Sequence, residues 1–78
     1  MRLSELQDQV TAVVTAVEDR VPADPIARRL RELGFVRGEP VRIVARGPVR
    51  KDPVLVQVGF TRFALRKAEA DRVMVDQA

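Results

Sequence analysis

LRELGFVRGEPVRIVARGPVRKDPVLVQVGFTRFAL, residues Leu30 to Leu65, is the stretch whose reading decides the fold. It opens on the last turn of a helix. Gly34 sits where a left-handed residue stops a helix, and Phe35 stands where its side chain returns to Leu30, as in a Schellman motif. A turn at Arg37-Gly38 launches a strand, Val41 to Arg46, with Val41, Ile43 and Ala45 on one face and Arg42, Val44 and Arg46 on the other. Gly47 to Pro53 holds a glycine, two prolines and three charges and reads as a loop between strands. Val54 to Val58 and Thr61 to Leu65 read as a hairpin, because Gly59-Phe60 has glycine at the first central position of a II′ turn. Phe60 is then expected at an exposed tip.

Upstream, Asp24-Pro25 is a helix start, with Asp at the N-cap and Pro at the first helical position. Ile26, Leu30 and Leu33 follow at i, i+4 and i+7 and predict one apolar stripe. Arg28 and Glu32 have the spacing of a helical ion pair. Val10 to Val17, VTAVVTAV, is dense in β-branched residues and uncharged on both faces, which predicts a first strand covered on most of both sides. Leu3-Ser4-Glu5-Leu6 suits one helical turn plugging the end of a core. Downstream, Lys67 to Asp71 suits one further turn with Ala70 inward, and Val73-Met74-Val75 a short closing strand. Four or five short strands with one helix predict a mainly β fold, a small antiparallel barrel that leaves no strand edge bare.

The chain has 78 residues, enough for a single domain, 1–78, with a small core. It has no cysteine and no histidine, which removes disulfides, thiolate metal sites and the usual general base at neutral pH. No catalytic constellation replaces them. The 14 basic residues, all Arg except Lys51 and Lys67, outnumber 11 acidic ones for a net charge of +3. That balance fits an ordinary solvated surface as well as one that meets phosphate, an anionic membrane face or an acidic protein patch. No window approaches the roughly 18 apolar residues of a membrane span. The start of the chain lacks the apolar segment of a signal peptide, which predicts a cytoplasmic protein.

Three groups have a claim to a partner surface. Arg28, Arg29 and Arg31 form a basic helix face, against the plainer reading of a solvated face. Val49, Arg50 and Lys51 lie between two proline corners that restrict the backbone and lower the ordering cost of docking. Phe60, with Arg62 beside it, is an aromatic at a hairpin tip. The alternatives for Phe60 are a cap folded back on the barrel or a contact between copies of the chain. The carboxylates Glu18, Asp19 and Asp24, and Glu69, Asp71 and Asp76, could collect a divalent cation only adventitiously or between molecules. No cofactor and no dedicated metal site are expected.

The ordered set Leu30-x-x-Leu33-Gly34-Phe35-x-x-Gly38-x-x-Val41, Gly47-Pro48, Asp52-Pro53 and Ala64-Leu65-Arg66-Lys67-x-x-Ala70-x-x-x-x-Val75, with Leu3-Ser4-x-Leu6 at the start, resembles the ferrous iron transport protein A (FeoA-like) family. The family often has glycine before the Asp-Pro pair, where this chain has Lys51. It also often has glycine soon after the opening leucines, where this chain has Gln7-Asp8-Gln9. The resemblance implies an SH3-like barrel with the helix inserted between the first two strands, and no enzymatic activity. It implies a cytoplasmic accessory protein of ferrous iron uptake that docks, at the inner face of the membrane, on the permease carrying a GTPase domain. A small basic nucleic-acid-binding barrel is the alternative. It is weakened by having only Phe60 and Phe63 to stack bases, and no nucleic acid is expected as a partner.

Overall fold

The β-branched segments form strands, and the glycine and proline punctuation between them sets their order. In a computed structural model describing residues 1–77, the strands are β1 (Thr11–Val17), β2 (Pro40–Val49), β3 (Asp52–Val58), β4 (Thr61–Leu65) and β5 (Val73–Gln77). They make one antiparallel sheet in the order β4-β3-β2-β1-β5. Helix α1 (Pro25–Leu33) follows β1 in the chain, the one-turn helix α2 (Lys67–Ala70) joins β4 to β5, and a 3₁₀ turn covers Leu3–Glu5. Leu3, Leu6, Ala12, Val14, Leu30, Phe35, Val41, Ile43, Val56, Val73 and Val75 are buried in one core.

Helix α1 is fixed at both ends by its sequence. Asp24 accepts hydrogen bonds from the Ile26 and Ala27 N–H groups at 3.0 and 3.4 Å, filling the N-cap role. At the other end Gly34 has φ +116°. Its N–H donates to the Arg31 carbonyl at 3.2 Å and the Phe35 N–H donates to the Leu30 carbonyl at 3.1 Å, the two bonds of a Schellman stop. The stop turns Phe35 into the core, where it is fully buried 6.1 Å from the Phe63 ring.

The sheet departs from the sequence reading in four places. The expected barrel is an open sheet, because β4 and β5 form its two edges. Gly47 to Pro53 is not a loop. β2 runs on to Val49, β3 starts at Asp52, and Val49 pairs with Asp52 across a two-residue turn. Arg50 and Lys51 both have positive φ, +53° and +60°, the backbone of an I′ hairpin turn. An irregular register between Arg46 and Val49 accommodates Pro48, which has no N–H to give. Gly47 is needed because a Cβ there would collide with the Asp52 carbonyl.

The helix stripe is rotated by one residue. Ala27 is buried with Leu30, while Ile26 is exposed and Leu33 half-buried. Asp24 must turn its carboxylate inward, and that rotation carries Ala27 under the helix. The faces of β1 and β2 also change midway. Bulges between Val14 and Ala16, and between Ile43 and Ala45, shift the side-chain alternation, so Ala16 and Ala45 leave the core face for solvent.

Candidate functional site

The chain spends most of its charges on itself. Arg72 lies nearly buried, its Nε donating to Asp24 Oδ2 at 2.7 Å and its Nη1 to the Ala68 carbonyl at 2.6 Å. Asp24 also accepts from the Arg20 N–H at 2.9 Å. That N–H, the Arg72 guanidinium and the cap N–H groups together hold the Asp24 carboxyl far below the usual carboxylate range against the cost of its burial. Asp71 is lowered too, chiefly by the Ser4 hydroxyl, with Lys67 3.2 Å away. Glu18 pairs with Arg2 and Asp19 with Arg31, each at 3.0 Å. The two carboxylate groups singled out for cations are therefore mostly engaged with arginines, a lysine and a serine. Among the described residues no three metal-type side chains converge.

The three groups proposed for a partner lie in three places. On α1, Arg31 is tied to Asp19 and to the Val17 carbonyl at 2.6 Å, and Arg28 reaches Glu32 at 4.0 Å. Only Arg29 of that face has no carboxylate partner among the described residues. The helix face is thus largely neutralised by its neighbours. Val49, Arg50 and Lys51 form the tip of the β2–β3 hairpin, with Val49 71% exposed. Phe60 forms the tip of the β3–β4 hairpin at the other end of β3, and its ring is completely exposed. The seven residues of β3 separate the two tips by about 23 Å.

Phe60 does not stand alone. It walls a shallow cleft of about 380 Å³ on the outer face of the sheet, whose floor includes Thr11, Arg42 and Gln57. Register explains the grouping. Thr11 pairs with Arg42, Arg42 with Gln57, and Gln57 with Arg62, so four strands contribute one continuous rung. The rung faces away from the core because Val41, Ile43, Val56 and Val58 on either side of it point inward. Neither Arg42 nor Arg62 has a carboxylate within salt-bridge range among the described residues, and the same holds for Arg37, Arg50 and Lys51. Arg29 apart, the uncommitted cations therefore all fall between residues 37 and 62. Sequence reading found Phe60 and Arg62 but missed Arg42 and Gln57. Gln57 opposite Arg62 follows from the Gly59-Phe60 turn, but Arg42 opposite Gln57 depends on the hairpin read as a loop.

Residues 1–77 match the FeoA domain family. The FeoA of Stenotrophomonas maltophilia, described as a prokaryotic SH3 domain protein and crystallised with zinc, is 66% identical. The match covers 97% of this chain and 89% of that one, with a TM-score of 0.91. Iron(II) transport protein A from Clostridium thermocellum is 34% identical over 99% of this chain and 45% of its own, with a TM-score of 0.85. A Porphyromonas gingivalis fusion of Fe(2+) transport protein A with the Fe(2+) transporter FeoB is 36% identical over 97% of this chain. The chain spans only 8% of that fusion's length. The five-stranded antiparallel sheet with its capped helix is an SH3-like fold, and this chain belongs to the FeoA family.

Proposed function

We propose that this chain is a small accessory protein of ferrous iron uptake that works as one unit, 1–78, at the cytoplasmic face of the membrane. It acts by docking on the ferrous iron permease. The observation that carries this reading is the Porphyromonas gingivalis fusion, in which a relative of the whole chain shares a polypeptide with the Fe(2+) transporter FeoB. Covalent linkage raises the effective concentration of one module at another, which is useful where the two engage each other. The engaged carboxylates, and the lack of histidine and cysteine, favour recognition over catalysis. No helix of the described residues is long and apolar enough to cross a membrane.

The test is binding of this chain to the purified permease in lipid nanodiscs, with its GTPase domain empty, loaded with GDP and loaded with a non-hydrolysable GTP analogue. Saturable binding in at least one state is expected. Absence of binding in all three overturns the reading.

A further inference from the structure

We propose that the rung Arg42–Gln57–Arg62, with Phe60 at its end, is the docking surface, and that its occupant is an extended acidic peptide segment carrying an apolar side chain. The proposal deepens the reading of the chain as an interaction module and names the chemistry of the segment it grips. Charge complementarity selects the occupant. Among the described residues Arg42 and Arg62 have no carboxylate partner, and they share one outward face and flank Gln57. A guanidinium takes a carboxylate through a two-pronged hydrogen bond, and Gln57 between them offers a donor and an acceptor to a peptide backbone.

Spacing selects an extended chain. Arg42 and Arg62 lie two strands apart, about 10 Å at the usual interstrand separation, and one turn of a polyproline II-like extended chain, three residues at about 3.1 Å each, spans nearly the same distance. Carboxylates at positions i and i+3 of such a chain share one face and meet both arginines. An apolar side chain beside them reaches Phe60, which forms the cleft wall and is fully exposed to solvent. Aromatic anchors of this kind, ringed by polar contacts, concentrate binding energy.

A nucleic acid fits the same face less well. Single strands bind by stacking successive bases on several aromatics. Here Phe60 is the one exposed ring, since Phe35 is buried and Phe63 is half-buried. Glu39 at the cleft rim repels phosphates and carboxylates alike, so the shortage of stacking rings is what separates the two.

The experiment is an NMR titration of the ¹⁵N-labelled chain with a dodecapeptide repeating Glu-Phe-Glu-Glu. The controls are its glutamine analogue, a mixed-sequence DNA oligonucleotide and phosphatidylserine vesicles. The acidic peptide is expected to shift the amides of Arg42, Gln57, Gly59, Phe60 and Arg62. The glutamine analogue should bind at least about tenfold more weakly. Arg42→Glu with Arg62→Glu should abolish the shifts, and Phe60→Ser should weaken them. Spectral dispersion reports whether each variant is folded, and Arg42→Gln with Arg62→Gln replaces the reversal if that one is not. The proposal is overturned if the peptide shifts nothing on this face, or shifts α1 or the Arg50-Lys51 turn instead. It is equally overturned if DNA or vesicles bind the rung more tightly than the peptide. The permease assay fails independently. Permease binding with a silent rung leaves the accessory role standing without this surface, and an occupied rung without permease binding does the reverse.

Discussion

Asp24 shows how a residue chosen to start a helix also anchors three parts of the chain. Its carboxylate caps α1, takes the Arg20 N–H from the preceding turn and receives Arg72 from the far end of the sequence. Because folding lowers its pKa below the ordinary 3.8, the stabilisation it supplies is complete above that value and is lost as pH falls below it. Asp71 acts in the same direction. Thermal melts should therefore show Tm constant near neutrality and falling below about pH 4. Asp24→Asn should lower Tm at pH 7, because the buried guanidinium loses its counter-charge. It should also flatten the acid limb without abolishing it. An acid limb unchanged in the variant would show that Asp24 is not the group being titrated. Lys51 is the opposite case, a residue the backbone tolerates at a cost. Its φ of +60° belongs to glycine, the residue that the FeoA pattern often places before Asp-Pro. Lys51→Gly should raise stability by up to about 1 kcal/mol in denaturant unfolding, and a loss would mean the left-handed turn is not strained.

Among the elements, those governed by local chemistry were legible and those governed by register were not. Helix α1 could be read because Asp24-Pro25 and Leu33-Gly34-Phe35 each dictate their own geometry within a few residues. The β3–β4 hairpin could be read because Gly59 supplies the positive φ its turn requires, +58°. The β2–β3 hairpin was hidden. Neither Arg50 nor Lys51 advertises a left-handed backbone, and Pro48 and Pro53 argue locally against a ladder that tertiary pairing imposes. The bulges at Val14/Ala16 and Ile43/Ala45 leave no trace in a pattern of alternating apolar residues. The candidate surface divides the same way, its aromatic tip visible in the sequence and its Arg42–Gln57 floor visible only once the strands are paired. At this scale Phe35 is the critical joint, since it follows the helix stop directly and fills the core beneath it. Phe35→Ala should cost about 3–5 kcal/mol, enough to leave a domain of this size largely unfolded on warming. A loss under 1 kcal/mol would mean that α1 does not rely on this anchor.

The whole molecule is an open five-stranded sheet whose edge strands β4 and β5 are connected through α2. Its N-terminal segment is sewn on by hydrogen bonds distant in sequence. The Val75 N–H donates to the Met1 carbonyl at 2.8 Å, Arg2 reaches the Asp71 carbonyl at 2.7 Å, and Arg46 reaches the Leu6 carbonyl at 2.8 Å. The segregation of uncommitted cations into residues 37–62, apart from Arg29, has a kinetic meaning as well. With a net charge of +3 and these cations unpaired among the described residues, the molecule is drawn toward an anionic target before the two touch. Its capture should be fast in dilute buffer and should slow as added salt screens that attraction over about 10 Å at 0.1 M, while the lifetime of the complex, once seated, barely changes. Stopped-flow mixing across a salt series separates the two rates, and a dissociation rate that rises as steeply as capture slows would mean that attraction at a distance plays no part.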